Sequence, residues 1–263
     1  MSGIRRPRLV VVTGAGSGIG RATALAFAAR GAQVVCVDLD LASAERTASA
    51  CGRGQGLARA CDVAEAPAVV ALANEIEAGL GAVDVLVNNA GVGLGGDFLD
   101  ADLDDWAWIR SVNLDGVVHG CHAFGRHLVA RGRGQVVNVA SGLAFVPSRR
   151  TAAYCATKAG VRMLSESLRA DWSRHGVGVS VVCPGVIDTP ILAATRLRGA
   201  AEGQRSALSR VFRHGHAPER VAEAIVRAAR DDRALVPVGW EAHLGLHATR
   251  LLPTPLRILG GRL

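Results

Sequence analysis

The sequence predicts an α/β fold: a doubly wound parallel sheet of about seven strands with helices on both faces, forming one domain over residues 1–263. Three observations predict it. Val/Leu-rich runs alternate with helical windows along the chain. Most of those runs are continuously apolar rather than alternating, as strands buried on both faces require. The first run also leads through a Gly-rich turn directly into a helical window. No repeat, linker or low-complexity tract divides the 263 residues, a length at which one core of this class is ordinary.

The elements follow in order. A strand over 8–13 (RLVVVT) is followed by a helix over 19–29, and a strand over 33–37 (QVVCV) by a helix over 41–50. A strand over 56–61 and a helix over 66–78 come next, then a strand over 83–88 and a long helix over 104–130. A strand over 134–140 leads to a helix over 153–175, one over 177–183 to a helix over 218–230, and 235–238 (LVPV) is the last strand. Such a βαβ series implies right-handed crossovers and a parallel sheet.

Aromatic residues make up only 4% of the chain, so Val, Leu, Ile and Ala must build the core. Of 30 basic residues 29 are Arg, and the one Lys, Lys158, stands four positions after the one Tyr, Tyr154. The net charge of +7 is uneven: residues 1–195 carry 18 basic against 17 acidic side chains, residues 196–263 carry 12 against 6. Dispersed Arg without aromatic interleaving speaks against nucleic-acid binding. His119 with His122 and His243 with His247 have helical spacing, yet no Cys or carboxylate completes a ligand set, so no metal is expected. The six scattered Cys point to a reducing compartment. No spanning helix or secretory leader is legible, and a cytoplasmic location is expected.

The turn after the first strand reads Thr13-Gly14-Ala15-Gly16-Ser17-Gly18-Ile19-Gly20. Its glycines let backbone and helix N-terminus approach a pyrophosphate. About 20 residues on, the second strand ends at Asp38, whose carboxylate can accept from ribose hydroxyls and repels a 2′-phosphate. Neither Ser17 nor Leu39 supplies a cation, which favours NAD over NADP.

Further segments stand in a matching order: Asp62-Val63, Asn88-Asn89-Ala90-Gly91, Asn113, Ser141, Tyr154 with Lys158, and Pro184-Gly185 leading to Ile187 and Thr189. On these motifs the chain resembles the short-chain dehydrogenase/reductase family over residues 8–190, and weakly to about 240. The resemblance implies a Rossmann-type sheet and an oxidoreductase that exchanges a hydride between NAD(H) and a secondary alcohol or ketone. It places the dinucleotide against Gly14, Ser17, Gly18, Ile19, Gly20 and Asp38. Asp62 and Val63 would meet the adenine, and Asn89, Ala90, Gly91, Pro184 and Gly185 would continue the site. Ile187 and Thr189 would hold the nicotinamide carboxamide.

Spacing of four on a helix sets Tyr154 and Lys158 one turn apart on one face. An ammonium beside a phenol favours the phenolate, and an oxidised nicotinamide adds further positive charge, so the Tyr154 pKa is expected to be drawn toward working pH. By resemblance, Ser141 orients the substrate oxygen, and Asn113 holds a water in a proton relay to Lys158.

By the same resemblance residues 191–216 form a mobile lid, and Leu94, Leu143, Val146, Ile191 and Leu192 wall the substrate pocket. These apolar walls favour a lipophilic substrate of steroid, terpenoid or fatty type. The lid arginines leave room for a carboxylate or a thioester carrier, so NADP-linked 3-oxoacyl-thioester reduction is an alternative, as is a catalytically idle dinucleotide sensor. The apolar-basic tail, 242–263, packs against a neighbouring subunit of a homo-oligomer, a tetramer or dimer, or lies on an anionic membrane. The subunit contact is preferred.

Overall fold

The computed structural model describes residues 3–253 and Leu256. Its main sheet is built from β1 (Leu9–Thr13), β2 (Gln33–Asp38), β3 (Gly56–Ala60) and β4 (Val85–Asn88), and from three later strands. Between these lie α1 (Gly18–Ala28), α2 (Leu41–Ala50) and α3 (Ala66–Gly79). A short β5 (Gly93–Gly95) precedes α4 (Leu103–Arg110), α5 (Gly116–Arg131), β6 (Gly134–Val139), α6 (Ala152–Trp172) and β7 (Val177–Pro184). The chain then runs through β8 (Thr195–Leu197), α7 (Arg205–Arg213), α8 (Pro218–Asp231), β9 (Leu235–Val238) and α9 (Trp240–Leu251). The seven-stranded order is β3-β2-β1-β4-β6-β7-β9, and every pairing is parallel. The predicted doubly wound sheet is present.

Alternation within the buried strands divides the core. Val10 and Val12 of β1 join Phe27, Ala24, Ile225 and Ala228 in the layer under α1 and α8. Leu9 and Val11 join Leu72, Ile76, Phe124 and Leu128 in the layer under α3 and α5. The strand order reverses between β1 and β4, and a crevice opens at their carboxyl ends.

Three differences from the sequence expectation bear on the site. The single helix expected over 104–130 is α4 and α5 joined by a π-turn at Ser111–Asp115, centred on the buried Asn113. Such turns are frequent at functional sites. The 191–216 segment holds β8, paired in parallel with β5 in a separate two-stranded sheet, and α7. The start of the expected tail is α9, whose Ala242 and Gly245 are buried; residues 254–255 and 257–263 of that tail lie outside those described. Among the described residues no helix is long and apolar enough to cross a membrane.

Candidate active site

The Gly-rich turn is stapled to the end of β4. Thr13 Oγ1 accepts from the backbone N–H of Asn89 at 3.0 Å and of Ala90 at 3.1 Å, and Asn89 Nδ2 donates to the Thr13 carbonyl at 2.9 Å. Gly14 takes a φ of +63°, a left-handed conformation that favours glycine. A Cβ on Gly20 would stand 2.0 Å from the Gly14 carbonyl oxygen, so helix α1 seats against the turn only through glycine. Ser17 is the N-cap of α1, but its hydroxyl makes no capping bond. Among the described residues the Gly18 and Ile19 amides and that hydroxyl therefore line the crevice without a partner of their own, as an anion-binding helix start requires.

A cavity of about 670 Å³ runs along these carboxyl ends. Gly14, Ser17, Gly18 and Ile19 form one end, with Asp38, Asp62 and Val63 beside them. Its middle is Asn89, Ala90 and Gly91, and Tyr154 and Lys158 line its far end with Pro184, Gly185, Ile187 and Thr189. Of the expected dinucleotide contacts, Gly20 alone is absent from the wall; it acts one layer behind, through the packing just described. Asp38 Oδ2 accepts from the Gly16 amide at 2.8 Å and Oδ1 from the Asp40 amide at 3.2 Å, which fixes the carboxylate at the cavity edge. Lys158 is the sole Lys or Arg among the described wall residues. A glycine turn, an unpartnered helix start, a fixed carboxylate and one ammonium fit a dinucleotide.

At the far end the chemistry-bearing side chains converge. Lys158 is 4% exposed, and its Nζ donates to the Val139 carbonyl at 3.2 Å while lying 5.8 Å from the Tyr154 ring centre. Asn113 Oδ1 accepts from the Val92 amide at 2.8 Å and its Nδ2 donates to the Val92 carbonyl at 2.9 Å. A Cβ on Gly91 would lie 3.3 Å from both Asn113 Oδ1 and Lys158 Nζ, so that glycine separates the two by little more than its own volume. The π-turn thus pins the strand end beside the ammonium.

The electrostatics revise one expectation. Burial pushes the Tyr154 phenol up from its ordinary value, and the neighbouring Ser141 hydroxyl draws it partly back. Burial also lowers the Lys158 ammonium to about 8. Lys158 therefore does not by itself deliver the lowered phenol pKa read from the spacing, because both groups lost their water together.

A second cavity, of about 330 Å³, adjoins the first, and Ser141, Tyr154, Pro184, Gly185, Ile191 and Phe212 line both. Leu94, Leu143, Val146 and Leu192 complete the expected set of apolar walls. The family model described as short chain dehydrogenase matches residues 8–198. The chain belongs to this family.

Family relatives differ in length. "Probable oxidoreductase EphD" of Mycobacterium tuberculosis is 43% identical over 204 residues, which cover 74% of this chain and 34% of that protein. The chain thus spans about a third of the length of these first curated relatives. D-threitol dehydrogenase of Mycolicibacterium smegmatis is 38% identical over 187 residues, 70% of each chain. A short chain dehydrogenase/reductase of Burkholderia phymatum, solved in complex with NAD, superposes with a TM-score of 0.87 at 30% identity, covering 98% of this chain and 96% of that one. Sequence and fold thus agree on the family.

The family motifs leave three features of this site unannounced. Asp105 of α4 is 1% exposed and accepts from Arg198 at 2.6 and 2.7 Å and from Arg196 at 3.1 Å; Arg196 in turn stacks over Trp108, 3.9 Å from the ring centre. Arg205 donates to the Thr195 carbonyl at 3.0 Å. Three of the arginines expected to receive an acidic carrier are thus committed within the protein. The third feature is Glu241, which enters the second cavity from α9. Sequence spacing holds no signal for it. His119 Nδ1 lies 2.9 Å from the Val63 carbonyl, and among the described residues no group of His, Cys, Asp and Glu could hold a metal.

Proposed function

We propose that the protein is an NAD(H)-dependent oxidoreductase of secondary alcohols and ketones with a largely lipophilic carbon frame. The observation that carries this reading is the wall shared by the two cavities: Tyr154 and Ser141 belong to both, so a group in one meets a group in the other across these two hydroxyls. The dinucleotide, when bound, supplies the acceptor for the hydride of the carbinol carbon. Tyr154 takes the hydroxyl proton as the C–H pair leaves, and returns a proton to the oxygen in the reverse direction. Ser141 donates to the substrate oxygen and steadies the charge that grows on it. Lys158 holds ribose hydroxyls, and its ammonium together with a cationic nicotinamide offsets the burial that raises the Tyr154 phenol. Asn113 keeps Val92, and with it the chain beside Gly91, in register with Lys158.

Two features support NAD over NADP. The Asp38 carboxylate sits where an adenosine 2′-phosphate would add like charge, and among the described wall residues its neighbours Leu39 and Asp62 to Glu65 offer that phosphate no Arg or Lys. The apolar second cavity supports a lipophilic frame, and the name of D-threitol dehydrogenase supports a secondary alcohol as the reacting group. We assign residues 191–216 as the lid of that cavity, since Ile191, Leu192, Thr195, Leu197, Leu208 and Phe212 all face it. The test is NADH formation across a panel of secondary alcohols, with Tyr154→Phe as control. Turnover that needs Tyr154 is expected; turnover that survives the substitution overturns the mechanism.

A further inference from the structure

Glu241 stands in the first turn of α9, where the positive end of the helix favours a carboxylate. Two glycines make room for it. A Cβ on Gly185 would lie 2.6 Å from Glu241 Oε2, and one on Gly239 would lie 2.7 Å from the same atom. Oε2 lies 3.2 Å from His216 Nε2. Oε1 has no hydrogen-bond partner among the described residues. The carboxylate is half-buried, and together with Tyr154 it is the ionisable part of an otherwise mostly aliphatic wall. Tyr154 is assigned to the reacting oxygen. A fixed acceptor with a free oxygen therefore remains on the wall of the same cavity as Tyr154 and Ser141.

We propose that Glu241 is a specificity-determining residue that accepts a hydrogen bond from a second hydroxyl of the substrate, so that the preferred substrate is a diol or hydroxyketone on an apolar frame. This deepens, and rests on, the secondary-alcohol reading above. A cavity of about 330 Å³ holds a compact six-carbon ring with both oxygens. A substrate with only one hydroxyl would shield Oε1 from water without offering it a donor, and an unsatisfied acceptor is the costlier error. Sites built to pair a hydroxyl reject the analogue that lacks it far more strongly than they reject a missing methylene.

The experiment compares trans-1,2-cyclohexanediol with cyclohexanol as substrates of the whole protein, with NAD⁺ as acceptor. The expected ratio of kcat/KM favours the diol by about 10–100-fold, the range for a hydrogen bond to a charged group. Glu241→Gln keeps the shape and the His216 contact but weakens the acceptor, and the ratio should fall several-fold, chiefly through KM for the diol. Glu241→Leu should bring the ratio close to one. Oxidation of cyclohexanol by the wild type with no gain from the second hydroxyl overturns the Glu241 assignment and leaves the oxidoreductase reading standing. So does a diol preference that survives Glu241→Leu. Absence of turnover of both alcohols, in a protein that binds NADH, overturns the reading itself and the assignment with it.

Discussion

The Asp105 carboxylate grips the Arg198 guanidinium with both oxygens, at 2.6 and 2.7 Å, and so ties α4 to the strand β8 that walls the second cavity. A bidentate pair of this kind fixes orientation as well as distance. The two arginines beside it hold the Asp105 carboxyl below the usual carboxylate range.

Asp105→Asn should therefore loosen the 191–216 segment. The expected outcome is a thermal midpoint lower by ~2–6 °C and a raised KM for substrate, with kcat less affected. The sign with pH follows from the depressed folded pKa: the contribution is present above the unfolded value, about 4, and is lost as pH falls through the folded one. The difference between wild type and variant should thus be full at neutral pH and shrink below about pH 4. Thermal unfolding of both proteins across that range checks it.

Lys158 gives a slope of the same sign in an alkaline window. Its folded pKa, about 8, lies below the ordinary lysine value of 10.5, so the folded protein binds fewer protons between the two and gains stability as pH rises through that window. Burying the ammonium costs on the order of 3 kcal/mol below pH 8. Lys158→Met should remove that penalty, giving a protein more stable at pH 7 by about 1–3 kcal/mol and inactive. Urea denaturation at pH 7 and pH 10 should show the gap closing.

Thr13→Val should leave the Asn89 and Ala90 amides without their acceptor, at a cost of about 1–3 kcal/mol. Because those amides hold the β4 end against the Gly-rich turn, NADH affinity should drop by roughly tenfold. Calorimetric titration with NADH reads this directly.

Asp38→Asn keeps an acceptor for the Gly16 amide while removing the charge. The preference for NADH over NADPH should narrow by roughly tenfold, mainly through tighter NADPH binding. Tighter binding of NADPH by the wild type would contradict the role assigned to Asp38.

The centre of the main sheet was legible because β1, β4, β6 and β7 are Val-rich runs buried on both faces, and the dinucleotide turn because its glycines lie within eight residues. Asp105 with Arg198 was not, since the partners are 93 positions apart and neither sits in a motif. Strands β5 and β8 carry three residues each, too few for any period to show. Helical patterning covers 104–130 without revealing the π-turn, because its five residues keep helical backbone and carry no Gly or Pro to mark the change. The upward push on the Tyr154 phenol was not legible for a related reason: spacing reports proximity but not burial.

A chain with one Lys offers amine-directed reagents a single side-chain target, and that target is 4% exposed. Acylation of Lys158 therefore requires the crevice to open or the fold to melt. Its rate, read by mass after digestion, would become a residue-specific clock for local opening, and slowing of that clock by a nucleotide would report occupancy of the site without any knowledge of the substrate.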